Sequence, residues 1–126
     1  MIIADTSVWI EFFRKREPIF AFLSKQVEVS KVLTLSCIFG ELLQGAKGER
    51  EATIIKAYYE NLPHVPEEDL WIEAGLLSNK LRLVARGVGL IDVVLMVAAQ
   101  RVNSRIWTLD RKLLSVLPNP CVFSPW

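Results

Sequence analysis

The sequence is poor in the residues that build most metal and thiol chemistry. One histidine and two cysteines in 126 residues are too few for a histidine-rich zinc centre or a disulfide framework. His64 lies between Pro63 and Pro66, in an expected loop or edge strand, and reads as structural. Cys37 and Cys121 are far apart, sit in apolar contexts and lack ligand spacing. They read as buried free thiols of a reducing cytoplasm. Glycine is scarce, and Gly45-Ala46-Lys47-Gly48 lacks the spacing of a phosphate-cradling P-loop. Neither sign of charge is in excess: 15 basic and 14 acidic side chains leave a net charge of +1. A global electrostatic footprint for nucleic acid is therefore missing. Any footprint is local, in Arg14-Lys15-Arg16, Lys47 with Arg50, Arg82 with Arg86, Arg101 with Arg105, or Arg111-Lys112. Long apolar runs are missing too. Val88 to Ala99 is shorter than the roughly 20 residues of a membrane span, and Asp92 interrupts it. An acid at position 5 with no basic segment before it does not read as a signal peptide. These absences lead to an expectation of a soluble cytoplasmic protein without a membrane partner.

What the chain does have is apolar bulk. At 52% hydrophobic and 23% charged, residues 1–126 can form one globular domain with a core that needs no staples. Short apolar runs alternate with helical patterns. Strands are expected at Ile2–Asp5, Val32–Leu35, Leu62–Val65, Arg105–Leu109 and Cys121–Ser124. Helices are expected over Ser7–Arg14, Glu17–Lys25, Cys37–Ala46, Glu51–Glu60, Glu67–Val84, Leu90–Val102 and Arg111–Leu117. Leu70, Ala74, Leu77 and Leu81 recur at helical spacing, and Leu90–Val102 is apolar nearly all round, the mark of a buried helix. Few hairpin signals occur, so the pattern predicts an α/β fold: a mostly parallel sheet of about five strands with helices on both faces, a three-layer α/β/α sandwich. Ligands of such sheets bind beyond the strand carboxyl ends. Asp5 and Asp110 fall there. The four tryptophans, Trp9, Trp71, Trp107 and Trp126, read as core or interface residues rather than base-stacking platforms.

Four acids stand where an acid is costly. Asp5 follows Ile2-Ile3-Ala4, Glu41 precedes Leu42-Leu43, Asp92 sits within Leu90-Ile91-Asp92-Val93-Val94, and Asp110 ends Ile106-Trp107-Thr108-Leu109-Asp110. An ionised carboxylate in apolar surroundings must be paired, hydrogen-bonded or metal-bound. Each has an ordinary alternative. Asp5 and Asp110 could cap helices, Asp92 could complement a helix dipole, and Glu41 could face solvent. As a set they differ from the other acids, which cluster in polar stretches such as Glu67-Glu68-Asp69. Two like charges about 4 Å apart repel by roughly 4 kcal/mol at an effective dielectric near 20, so a converged set calls for a cation. Oxygen-only ligands suit Mg²⁺ or Mn²⁺, and such ions serve phosphodiester hydrolysis.

These acids and their neighbours resemble the PIN-domain family, in particular VapC-type toxins of toxin–antitoxin pairs. The resemblance runs through Ile3-Ala4-Asp5-Thr6-Ser7-Val8-Trp9-Ile10, Glu41-Leu42-Leu43-Gln44-Gly45-Ala46, Leu90-Ile91-Asp92 with Ala98-Ala99, and Thr108-Leu109-Asp110-Arg111. It implies a PIN-like fold and a Mg²⁺- or Mn²⁺-dependent endoribonuclease in which Asp5, Glu41, Asp92 and Asp110 bind the metal. Thr6 or Ser7 and Thr108 would support the carboxylates. Apart from the resemblance, basic residues near the rim, Arg82, Arg86 or Arg111, are expected to position phosphates of an RNA substrate. The resemblance also implies a homodimer and a cognate antitoxin partner. Departures are the bulky Val93-Val94-Leu95-Met96-Val97 and Leu113-Leu114 near a position where an aromatic is frequent. Two other carboxylate-and-magnesium folds fit less well. A haloacid-dehalogenase-like phosphatase needs an acid at position 7, where Ser7 stands, and a receiver-like domain wants an early acidic pair. A stand-alone RNA-processing nuclease and a non-catalytic interaction module, with the acids as caps and surface groups, stay open.

Overall fold

The computed structural model describes residues 1–126. Its elements run β1 Ile2–Ala4, α1 Thr6–Phe13, α2 Ile19–Glu28, β2 Val32–Leu33, α3 Ser36–Gln44, α4 Glu49–Asn61 and α5 Leu70–Leu81. After a 3-10 turn at Val84–Arg86 come α6 Leu90–Arg101, β3 Arg105–Trp107, α7 Arg111–Val116 and a 3-10 turn at Asn119–Cys121. The sheet is parallel in the order β2-β1-β3. Ile2 lies opposite Val32 on one side and Arg105 on the other. Single parallel bridges extend each edge, Thr34 to His64 and Ile106 to Val122. The two outer strands of the expected five are thus reduced to one bridge each. Pro63 and Pro66 flank one bridge, and Pro118 and Pro120 precede the other. Proline has no N–H to give a ladder, so pairing cannot spread.

The order of connections explains where a site can form. Parallel crossovers are right-handed. The chain steps from β1 through α1 and α2 to β2, then through α3 and α4 to His64, moving one way across the sheet. Those four helices therefore share a face, and α1 packs on α2 and α3, with α3 on α4. The chain then returns past β1 to β3, which carries α5 and α6 to the opposite face, where they pack on each other and α6 packs on β3. The direction reverses between β1 and β3, and their carboxyl ends open a crevice.

One apolar cluster of 29 buried residues holds these layers. Ile3 and Ala4 are fully covered, as a central strand between two helical layers must be. In α6, Val93, Val94, Leu95, Val97, Ala98 and Ala99 are all buried, as its all-round apolarity requires. Trp9 is fully buried and packs edge-on against Phe12, Phe39 and Tyr58. Trp107 is also buried, whereas Trp71 and Trp126 remain 40% and 65% exposed.

Three local expectations shift. Helix α5 begins at Leu70 rather than Glu67, because Asp69 is left-handed and Glu67 turns away to cap α3, accepting from the Ser36 N–H at 3.0 Å and the Ser36 hydroxyl at 2.6 Å. Its inner row is Leu70, Ala74 and Ser78, while Leu81 is 48% exposed. The thiols of Cys37 and Cys121 are half-buried rather than buried. Burial, followed by the Glu67 and Glu41 charges, pushes the Cys37 thiol up to about 12, so it is inert. His64 is structural as expected: its ring stacks on Tyr59 at 4.2 Å, and Nε2 lies 2.7 Å from the Tyr59 carbonyl. A carbonyl can only accept, so that nitrogen carries the proton. No helix is long and apolar enough to cross a membrane.

Candidate active site

The crevice between β1 and β3 is lined by Asp5, Thr6, Ser7, Glu41, Ile91, Asp92, Leu95 and Asp110, around a volume of about 190 Å³. All four singled-out acids are there, delivered by four different elements. Asp5 ends β1 and Asp110 follows β3. Glu41 rides in α3, and Asp92 occupies the first turn of α6. No lysine or arginine lines the cleft. The ion pairs of the fold join Glu11 to Arg14 and Arg16, and Glu73 to Arg101, so none neutralises these acids.

Asp5 is the anchor. It is only 5% exposed. Its Oδ1 accepts from the Val8 N–H at 3.2 Å and from the Ser7 hydroxyl, and its Oδ2 accepts from the Thr108 hydroxyl. Both hydroxyls also accept: Ser7 Oγ from the Leu109 N–H across the crevice floor, and Thr108 Oγ1 from the nearby Asp110 N–H, each at 3.0 Å. Ser7 and Thr108 thereby lace the end of β1 to the end of β3. Burial raises the Asp5 pKa, with hydrogen bonds from Ser7, Thr108 and Val8 opposing it.

Asp110 caps α7, its Oδ1 accepting from the N–H groups of Lys112 at 2.8 Å and Leu113 at 3.4 Å. Asp5 and Asp110 therefore cap helices and line the cleft at once. Glu41 is exposed and accepts from Thr6 Oγ1 at 2.6 Å, which fixes it over the start of α1. Asp92 has no hydrogen-bond donor in the fold's network. Burial first, then the charges of Asp110, Asp5 and Glu41, push it up to about 6. Its position depends on the turn before α6. Gly87 has φ +77° there, a left-handed conformation that disfavours a larger residue, whereas the Lys112 side chain 3.3 Å from a built Cβ can move aside.

The acids share the cleft without any three closing into a ready-made ion cage. Two of them are committed to helix caps, and four like charges resist closer approach. The basic residues expected on the rim do not line the cleft either. Arg86 donates to the Ser115 carbonyl at 3.4 Å, tying the 3-10 turn to α7, and Arg82 closes α5 in a left-handed conformation. Sequence reasoning missed the apolar walls, Ile91 and Leu95, which have no chemical signature. It also missed the double duty of Ser7 and Thr108: both donate to Asp5, while Ser7 accepts from Leu109 on the facing strand end and Thr108 from Asp110 on its own.

The sequence matches the PIN domain over residues 2–117. The chain belongs to the PIN-domain family. Solved structures share its fold at low identity. A toxin–antitoxin complex from Klebsiella pneumoniae superposes with a TM-score of 0.74 at 16% identity, covering 100% of this chain and 98% of that one. VapC20 of Mycobacterium tuberculosis, a sarcin–ricin-loop-cleaving toxin, gives 0.67 at 18%, covering 91% and 94%. VapBC2 from Rickettsia felis, bound to a DNA fragment from its promoter, gives 0.68 at 15%, covering 100% and 99%. No curated protein matches the chain in sequence. The PIN fold accounts for the sheet order and for the crevice at the β1–β3 reversal. Within the family, the VapC-type toxins carry the same architecture.

Proposed function

We propose that residues 1–126 form one nuclease domain, a Mg²⁺- or Mn²⁺-dependent endoribonuclease that hydrolyses RNA phosphodiester bonds as the toxin of a toxin–antitoxin pair. One observation carries the reading: four carboxylates from four separate elements line a single cleft that contains no cationic side chain. The donor set is all oxygen, which fits a hard divalent ion. Its loose spacing fits as well, because Mg²⁺ keeps several waters and takes one or two carboxylates directly. Asp5, Glu41 and Asp92 would hold the ion, directly or through water, with Asp110 completing the site. Once bound, the ion supplies positive charge to the phosphodiester oxygens and makes a water a better nucleophile.

The remaining contributions belong to the chain itself. Ser7 and Thr108 donate to the Asp5 carboxylate and fix its plane, with acceptor capacity left for the ion. Thr6 holds Glu41 toward the cleft. Ile91 and Leu95 displace water from one wall, so charges there act in a lower dielectric. The proposed partners are an RNA substrate, a cognate antitoxin protein and a second copy of the chain; neighbours in fold include two toxin–antitoxin assemblies. The test is cleavage of RNA with Mg²⁺ or Mn²⁺. Asp5→Asn and Asp92→Asn each lower the rate by roughly a hundredfold or more while the circular dichroism spectrum is kept. Undiminished cleavage by both variants overturns the assignment.

A further inference from the structure

We propose that the groove opening off the acid cleft beside Glu41 holds the nucleotide next to the scissile phosphodiester, with Arg14 and Lys47 on its phosphates and Glu51 reading a hydrogen-bond donor of its base. The proposal rests on the ribonuclease reading above and adds to it a substrate path and a specificity residue.

The groove lies between α1 and the α3–α4 corner and has a volume of about 430 Å³, within the range of small-ligand sites. Glu41 lines both it and the acid cleft. Helix α1 makes the two continuous. Thr6 faces the cleft, and Ile10, Phe13 and Arg14 face the groove. Positions 6, 10, 13 and 14 fall on one helical face, and eight residues of rise carry the track about 12 Å from the acids to the Arg14 backbone.

The lining has nucleotide chemistry. Arg14 and Lys47 are exposed cations in a lining that also carries Glu41 and Glu51, so they act as two point contacts for phosphates rather than as a basic field. The Arg14 ion pair with Glu11 is 3.7 Å long, and Glu11 also pairs with Arg16 at 3.4 Å; the exposed Arg14 end of so long a pair is weakly held and can exchange for a phosphate. Phe13, Leu42 and Ile55 give an apolar floor against which a base can lie. Glu51 Oε2 accepts from the Lys47 N–H at 3.0 Å. That bond fixes the carboxylate and leaves Oε1 for an amino or imino group of a base. A helical protein segment prefers a drier surface, such as the groove of Val27, Ile54, Ala57 and Tyr58 between α2 and α4.

The experiment uses the full chain and a fluorescent, randomised single-stranded oligoribonucleotide pool. Binding is followed by anisotropy in EDTA, and cleavage with Mn²⁺ by sequencing of the cut ends. Arg14→Ala with Lys47→Ala is expected to weaken binding about tenfold and to flatten the log–log salt slope by about 0.7 for each phosphate that is no longer neutralised. The half-saturating RNA concentration rises and the maximal rate holds. Glu51→Gln is expected to change the base preferred on one side of the cut and to leave the affinity within about twofold. Melting temperatures report that each variant is folded. Unchanged salt slope, saturation and flanking preference, in protein that cleaves, overturn the groove assignment and leave the ribonuclease reading standing. RNA binding that depends on Arg14 and Lys47, in protein that never cleaves, supports the groove and overturns the ribonuclease reading. Loss of affinity for a co-expressed antitoxin, with RNA parameters unchanged, overturns the proposal in favour of a protein-docking groove.

Discussion

Asp92 is the residue at which the proposed ion site and stability pull apart. Its carboxyl is raised to about 6, by burial and then by Asp110, Asp5 and Glu41, and no donor offsets the shift. The folded state therefore binds a proton more tightly than the unfolded chain. Between the ordinary carboxylate range near pH 4 and pH 6 the native state holds more protons, so stability falls as pH rises through that window and stays low above it. Asp92→Asn removes the charge. In chelator at pH 7 this variant is expected to melt roughly 3 °C above the parent, the shift that ~1 kcal/mol produces in a chain of this size, after discounting for the partial exposure of the group. The gain disappears at pH 4, where both proteins are uncharged at this position. Millimolar Mg²⁺ is expected to raise the parent's melting temperature at pH 7 and not the variant's. Thermal scans at pH 4 and pH 7 check both arms, and a variant that melts lower at pH 7 in chelator contradicts the picture.

Between elements, the decisive feature is the lacing of β1 to β3 by Ser7 and Thr108. Thr108 donates to Asp5 and accepts from the Asp110 N–H, so one hydroxyl serves a buried acid and a strand-end amide. Thr108→Val keeps the shape and removes both bonds. A loss of about 2 kcal/mol is expected, since a charged buried acceptor is left short of a donor, and urea denaturation measures it; a loss below about 0.5 kcal/mol would mean water replaces the hydroxyl. The legibility of the sequence divides at this scale. Each expected helix exists, because its apolar spacing and caps are local: Asp5 and Asp110 announce α1 and α7. Asp5 and Asp110 could also be placed at the functional edge, because strand ends are local too. Strand length was not legible. Prolines beside His64 and Val122 reduce two expected strands to single bridges, and Glu67 leaves its own helix to cap α3, 31 residues away. The groove beside Glu41 was illegible for the same reason. Lys47 and Glu51 are joined locally, but Arg14 reaches them only through the packing of α1 against α3 and α3 against α4.

At the scale of the molecule, two surfaces are left uncovered. One is the acid cleft with its groove. The other is the outer side of α5 and the turn after it, where Ile72 and Leu76 are each 68% exposed and Val84 is 80% exposed. Apolar side chains gathered on one face favour burial against a partner, and a second copy of the chain is the partner proposed above. Light scattering is expected to give twice the 14.3 kDa chain mass, and Leu76→Lys to shift the protein to monomer; a monomeric parent at micromolar concentration contradicts it. The β1–β3 pairing has a different consequence, one of timing. Asp5 and Thr108 are 103 residues apart, and Asp92 and Asp110 also belong to the last third of the chain. A ribosome that has released only α1 to α5 has exposed Asp5 and Glu41 but neither Asp92 nor Asp110. The cleft cannot assemble until β3 and the start of α7 have emerged, so its four acids converge only late in synthesis.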